Sequence, residues 1–115
     1  MIIQIQLTNK PHNMSDEELQ SNVCIIAESL EDNQAHRDSA MLKLAEECSE
    51  LSAELIQKVL HPLHEDGNTA ITNEAGDMYA RFLIFLELLS DEDRQRVRDR
   101  AEFKITKCVN RLHNV

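Results

Sequence analysis

Residues 41–60 read MLKLAEECSELSAELIQKVL, and their pattern is typical of a helix. Its apolar residues return every three or four positions, which is the rhythm of one face of an α-helix. They are Met41, Leu44, Cys48, Leu51, Leu55 and Val59. The stretch is followed by His61-Pro62, and proline disfavours a helical conformation in the residue before it. The sequence therefore predicts a helix that ends near residue 60.

Helices are also predicted on both sides of this stretch. Upstream, Ser15 with Glu18 forms a capping box, which starts a helix over about residues 16–31. A polar joint over 33–38 separates that helix from the next. Downstream, residues 61–68 contain Pro62 and Gly67 and are predicted to form a loop.

Two further helices follow this loop. Residues 69–89 are apolar on nearly every side, and such a helix in so short a chain implies a partner subunit. Ser90 is the predicted N-cap of a fourth helix, because three acidic residues follow it at the positive end of the helix dipole. The apolar residues of this helix are Val97, Ala101, Ile105, Cys108 and Leu112.

Composition agrees with an all-helical fold. The 115 residues include 42% hydrophobic and 3% aromatic side chains, with only two glycines and two prolines. We expect one domain over residues 1–115, with residues 1–14 as an extended lead-in, because the short apolar tract there ends at Lys10-Pro11. The predicted fold class is all-α, a four-helix-bundle-like module that oligomerises through its helices.

Charge and cysteine content limit the classes of partner. The net charge of −9, from 21 acidic and 12 basic residues, argues against binding to nucleic acid. The odd cysteine set lacks a C-x-x-C spacing, so we interpret Cys24, Cys48 and Cys108 as reduced core residues. No apolar run approaches the length of a membrane span. We expect a soluble cytoplasmic protein with no membrane partner.

Two pairs of carboxylates are the candidate functional residues. Glu47 and Glu50 lie three residues apart on the second predicted helix, and Glu74 and Asp77 lie three residues apart on the third. Residues at this spacing share one helix face, so two packed helices would bring four carboxylates together. Mg²⁺ prefers such hard oxygen ligands, and without a cation the carboxylates would repel one another. The pattern therefore predicts a magnesium site.

The acidic pairs also have other interpretations. An E-x-x-E pair occurs by chance in many acidic helices, and the second pair is the more informative because it interrupts an apolar helix. A di-iron site in a four-helix bundle would need Glu-x-x-His pairs, and no Glu in the chain has His three residues later. The five histidines lie in joints or at helix ends, where surface or capping roles are expected.

The acidic motifs resemble a known family. The segments 44–51 (LAEECSEL) and 73–77 (NEAGD), followed by Phe103-Lys104 and Asn110-Arg111-Leu112, are similar to the MazG-like all-α nucleoside triphosphate pyrophosphatases, including phage-type members. The resemblance covers about residues 41–112. One position departs from it, because Cys108 stands where family members often have Asn, which puts a nucleotide contact there in doubt.

The resemblance implies a reaction and roles for particular residues. The reaction is cleavage of a nucleoside triphosphate between the α and β phosphates by a homodimer or homotetramer, with Mg²⁺ as cofactor and Mn²⁺ as a substitute. The implied metal ligands are Glu47, Glu50, Glu74 and Asp77. Glu46 and Glu47 are the implied catalytic positions, with Glu46 orienting the attacking water or helping to hold a further metal ion. Lys104 and Arg111, seven residues apart on one helix face, would bind the phosphates.

Two alternatives stay open at this point. Phosphoribosyl-ATP pyrophosphohydrolases share the helical architecture and the acidic motifs, so that reaction is a second enzymatic hypothesis. A non-catalytic acidic module, which assembles through its apolar third helix, is a hypothesis of a different class.

Overall fold

The computed structural model describes residues 13–63 and 68–113 of the chain. Within these ranges the protein contains helices and no strand, which confirms the predicted all-α class. The helices are α1 (Asp16–Leu30), α2 (Gln34–Leu60), α3 (Thr69–Leu88) and α4 (Asp91–His113). The predicted lead-in over 1–14 falls outside the described residues except for its last two positions. Residues 64–67 of the predicted loop also lie outside them.

Serine side chains start α1 and α4, as the sequence predicts. The Ser15 hydroxyl accepts a hydrogen bond from the Glu18 backbone N–H at 3.1 Å and lies 3.2 Å from the Glu18 carboxylate, to which it donates. At the start of α4, the Ser90 hydroxyl accepts from the Asp93 backbone N–H at 3.1 Å. Each serine therefore satisfies a backbone donor that the helix itself leaves unpaired.

The predicted polar joint over 33–38 is wrong, because α2 already begins at Gln34. The Asn33 side chain accepts from the His36 backbone N–H at 3.2 Å and caps the helix. Most polar side chains that suggested a joint lie on the exposed side of the first turns of α2. The regular repeat of apolar residues therefore begins later in the sequence than α2 itself.

The packed part of the molecule consists of α1, α2 and α3. Helix α3 lies between the other two and packs along both, while α1 and α2 touch little. Among the described residues only Val23, Ala27 and Ile84 are buried hydrophobic side chains, and α2 contributes none. A domain of this length normally buries much more, so this single chain has an unusually small core.

Much of the apolar face of α2 is open to solvent. Leu44 and Leu51 are half-buried, but Met41, Leu55 and Val59 are exposed, and Val59 keeps 79% of its accessible surface. Exposed apolar side chains that are contiguous along a helix mark an interaction surface more often than chance exposure. One chain therefore covers only part of the face that the sequence pattern predicts to be buried.

Helix α4 projects from the packed helices. Among the described residues it packs along no other helix, and every side chain from Asp99 to His113 is exposed. The molecule measures 55 × 37 × 29 Å with a radius of gyration of 17.3 Å, whereas a compact chain of this length has a radius of about 13 Å. The four helices therefore do not close into a bundle within one chain.

The exposure of the cysteines reflects this open arrangement of the helices. All three are free, but Cys24 is half-buried and Cys48 and Cys108 are exposed. The interpretation of Cys48 and Cys108 as core residues is thus wrong for the single chain, because the helix faces that carry them are uncovered.

A polar junction connects α1, α3 and the start of α4. One carboxylate oxygen of Glu87 accepts a hydrogen bond from the Gln20 side chain at 2.8 Å, and the other forms an ion pair with Arg94 at 3.0 Å. Arg94 also contacts Asp91 within α4. The Glu87 side chain keeps 22% of its surface accessible, so this pair is less screened by water than the other ion pairs along α4.

None of the helices in the described ranges is both long enough and apolar enough to cross a membrane.

Candidate metal centre

Three glutamates meet at the seam between α2 and α3. Glu47 and Glu50 lie on adjacent turns of α2, and Glu74 lies in the second turn of α3. One carboxylate oxygen from each lies within 4.8 Å of the corresponding oxygens of the other two. The structure thus brings together three of the four predicted metal ligands from separate parts of the sequence.

Two oxygens of this cluster lack any hydrogen-bond donor. Glu47 Oε2 and Glu74 Oε2 are buried atoms with no partner in the described part of the chain. A buried carboxylate oxygen without a donor costs free energy, and native structures seldom leave one unexplained. A cation bound between α2 and α3 would supply the missing partner for both atoms, so the donor set fits a hard divalent metal ion.

The carboxylates also disturb one another electrostatically. The pKa of Glu47 is raised above its ordinary value of 4.5, first by burial and then by the charges of Glu50 and Asp77. The pKa of Glu50 is raised as well, mainly by a hydrogen bond with the Glu74 side chain and by the Glu74 charge. The cluster therefore disfavours the charged forms of Glu47 and Glu50 unless positive charge is added.

Asp77 and Glu46 lie at the edge of the cluster. The Asp77 carboxylate is close enough to Glu47 for its charge to raise the pKa of that residue, although Asp77 is not in the group that shares the 4.8 Å spacing. The charge of Glu46 acts in the same direction on the pKa values of both Glu47 and Glu50. The fourth predicted ligand and the predicted water-orienting residue are thus neighbours of the glutamates.

The structure does not bring the two predicted phosphate-binding cations to the cluster. Lys104 and Arg111 are exposed residues of α4, which does not pack along α2 or α3 within the chain. They border the apolar stripe of α4, since Lys104 follows Ala101 by three residues and Arg111 follows Cys108 by three. Within the described residues, these two cations are therefore not part of the carboxylate cluster.

Two cations close to the cluster were missed by the sequence reasoning. Lys43 lies four residues before Glu47 on α2, and Arg81 lies four residues after Asp77 on α3. That spacing places each of them one helical turn from a carboxylate. The signal was present in the sequence, but it becomes specific only when α2 and α3 are seen to pack side by side.

No family model, curated protein or solved structure matches the chain.

The raised pKa values predict how the metal-free protein responds to pH. A carboxyl group whose pKa is raised on folding adds stability below its unfolded value, near pH 4.5, and loses it as the pH rises through the folded value. At pH 7.5 in the presence of a chelator, we therefore expect Glu50→Gln to melt at a higher temperature than the parent protein. The difference should shrink towards pH 4, where the parent carboxyl is protonated.

Thermal melts at the two pH values, with Glu28→Gln on the exposed side of α1 as control, measure this difference. If the parent protein is at least as stable as Glu50→Gln at pH 7.5, the neighbouring carboxylates do not repel the Glu50 charge as we infer.

Proposed function

We propose that the chain is a Mg²⁺-dependent nucleoside triphosphate pyrophosphohydrolase of the MazG-like kind, which works in the cytoplasm as a homodimer or homotetramer. Its products would be a nucleoside monophosphate and pyrophosphate. Mn²⁺ would substitute for Mg²⁺, because both are divalent cations that accept carboxylate oxygens.

One observation carries this proposal. Glu47, Glu50 and Glu74 converge from two helices, and two of their buried oxygens have no hydrogen-bond donor among the described residues. Solvated surface carboxylates would not be expected to have such atoms, because water would supply the donors. Because the three glutamates lie together, residues from both acidic motifs could bind the same metal ion. Metal binding is also the role that the family resemblance implies for them.

The residues around the cluster have distinct roles in this proposal. Glu47, Glu50, Glu74 and Asp77 hold the metal, and a bound Mg²⁺ would neutralise phosphate charge and lower the pKa of a bound water. Glu46 lies next to Glu47 on the more exposed side of α2, where it orients the attacking water. The half-buried Glu47 and Glu74 confine the reaction to the seam between the helices.

The open apolar surfaces support assembly into an oligomer. The apolar face of α2 and the stripe on α4 are exposed in one chain, and Ile105 and Leu112 keep 64% and 76% of their surfaces accessible. Covering them with the same surfaces of another copy would build the core that the single chain lacks. Because Lys104 and Arg111 border the stripe of α4, assembly would carry both cations towards a neighbouring copy, where they would bind phosphate.

The reaction is tested by product analysis. The purified protein is incubated with Mg²⁺ and each common ribo- and deoxyribonucleoside triphosphate, and monophosphate, diphosphate, pyrophosphate and orthophosphate are measured separately. We expect monophosphate and pyrophosphate in equal amounts, with none formed in the presence of a chelator.

Other product patterns would lead to other functions. Diphosphate with orthophosphate would mean that the cleaved bond is assigned wrongly. Hydrolysis of phosphoribosyl-ATP but of no free nucleotide would favour the enzyme of histidine synthesis. No hydrolysis and no rise in melting temperature with Mg²⁺ or Mn²⁺ would favour the non-catalytic interaction module, since a ligand specific for the folded state must stabilise it.

A further inference from the structure

One face of α2 carries no charge and is covered by no other helix of the described ranges. Six exposed residues define this outer face: Leu42, Ala45, Cys48, Ser52, Ile56 and Val59. Their spacing of three or four residues places them on one side of the helix. Leu42 and Val59, at its two ends, keep 69% and 79% of their surfaces accessible, and small side chains lie between them. Small side chains let a second helix approach closely, so the outer face suits a docked helix.

The apolar stripe of α4 is bordered on one side by cations. Arg100, Lys104, Lys107 and Arg111 recur at intervals of four, three and four residues, which places them in one line along the helix. All four are exposed, and Lys104 and Arg111 form no ion pair with any described residue. Two copies of α4 packed stripe to stripe in antiparallel directions would bring these lines opposite each other, and like charges repel. The stripe therefore fits a face bordered by negative charge better than it fits a second α4.

The outer face of α2 has a border of this kind. Glu46 follows Leu42 by four residues and Glu50 follows Glu46 by four, so two exposed carboxylates lie in one line along its edge. A copy of α4 laid on this face, with its cations towards these carboxylates, would set opposite charges side by side. Two outer faces packed together gain no such pairing, because neither supplies a line of cations. Charge complementarity thus favours α4 of one copy on α2 of another.

The two exposed cysteines lie on the same pair of surfaces. Cys48 is near the middle of the outer face, and Cys108 lies between Ile105 and Leu112 on the stripe of α4. Cysteine is among the residues most often buried in folded proteins, yet both of these thiols are accessible in one chain. Packing the stripe on the outer face would cover both cysteines at once.

We propose that two copies exchange α4 reciprocally, so that the stripe on α4 of each copy packs on the outer face of α2 in the other. The inference rests on the homo-oligomer of the proposed function and adds which surfaces meet, but it requires no part of the reaction. Because each copy both gives and receives α4, the contact is the same for both copies and a two-fold axis relates them.

Chemical cross-linking between single-cysteine variants tests this pairing. One protein keeps only Cys108 (Cys24→Ser with Cys48→Ser), and the other keeps only Cys48 (Cys24→Ser with Cys108→Ser). The two are mixed, left to exchange subunits and treated with a short bismaleimide, which adds one thiol to each of its two rings. We expect cross-linked dimers that contain one chain of each kind, and little cross-linking in either protein alone.

Two further partners for the Cys108 protein complete the design, each with one cysteine in the chain. Ser52→Cys moves the thiol one helical turn along the outer face, so that a contact is also detected when Cys108 lies nearer that turn. Ser21→Cys, at an exposed position of α1, is the matched control and should give only the background from chance collisions.

Charge reversal in the otherwise native chain gives an independent readout. Lys104→Glu should raise the dissociation constant of the dimer about fivefold, because it removes an exposed ion pair with the carboxylate border. Glu46→Lys should weaken the dimer similarly, and the two changes together should bring the dissociation constant back towards that of the parent. Glu28→Lys on α1 should not compensate for Lys104→Glu. Sedimentation equilibrium measures these constants.

The remaining outcomes overturn the inference. Cross-linking of the Cys48 protein with itself would place α2 against α2, and cross-linking of the Cys108 protein with itself would place α4 against α4. No cross-link above the control, a parent protein that stays monomeric, or a Lys104→Glu effect that Glu46→Lys does not reverse would each contradict the pairing. No nucleotide takes part in these measurements, so a failure to hydrolyse nucleotides would contradict the proposed reaction and leave the pairing intact.

Discussion

Glu47→Gln is expected to abolish measurable turnover while making the metal-free protein more stable. Glu47 supplies one of the three converging oxygens, and its second oxygen is buried without a donor. Residues that only support a metal ligand typically contribute about 10- to 100-fold in metal affinity or activity, so loss of a direct ligand should lower kcat/KM by more than about 100-fold. Because the pKa of Glu47 is raised by burial and by neighbouring carboxylates, removing its charge should at the same time raise the melting temperature at neutral pH with a chelator present.

The combination of the two effects separates a metal ligand from a structural residue. A structural role predicts that activity and stability fall together, whereas a ligand in a repulsive cluster predicts that they move in opposite directions. Asp77→Asn, whose charge acts on Glu47, should also lower activity, and Glu28→Gln on α1 should change neither quantity. Retained turnover in both Glu47→Gln and Asp77→Asn would remove the cluster from the reaction.

Ile105→Asp combined with Leu112→Asp is expected to convert the proposed oligomer to a monomer at micromolar concentration. Both side chains belong to the exposed apolar stripe of α4, and burying a large aliphatic side chain is worth about 1.5 to 3 kcal/mol. Loss of two such contacts should raise the dissociation constant by roughly two to four orders of magnitude. Sedimentation equilibrium over a range of concentrations measures the change.

The matched control is Asn110→Asp, which adds a charge to the same helix on the side away from the stripe. It should leave the sedimentation behaviour of the parent protein unchanged. A parent protein that is already monomeric at high concentration, or a double variant with an unaltered mass, would contradict assembly through α4. If the double variant loses activity and Asn110→Asp does not, the site needs a second copy of the chain.

Local signals in the sequence predict the helices well and their packing less well. The Ser15 and Ser90 caps are correct because each depends on residues within one turn. The start of α2 was placed too late because the apolar rhythm begins only at Met41, although Asn33 caps the helix. The projection of α4 could not be predicted, since an amphipathic pattern shows that a face needs covering but does not show what covers it.

For the site, too, the sequence predicts local features better than it predicts packing between helices. The i and i+3 spacing predicts which carboxylates share a helix face, and Glu47, Glu50 and Glu74 do converge. The sequence could not predict the unequal burial of their oxygens, because that depends on how closely α2 and α3 pack. The family resemblance implied that Lys104 and Arg111 bind the phosphates of the substrate. A sequence motif does not show whether its residues meet within one chain or between two chains.

The junction at Glu87 has a consequence for the geometry of the proposed assembly. Glu87 binds Gln20 of α1 and Arg94 of α4 with its two carboxylate oxygens, so one side chain fixes the direction in which α4 leaves the packed helices. Two copies that associate through the same surface are related by a two-fold axis, whereas contacts between different surfaces close into a ring or continue as a filament. In the proposed oligomer, the start of α4 would orient the apolar stripe towards the neighbouring copy, so a change in Glu87 would alter the angle between two copies before it altered the stripe that joins them.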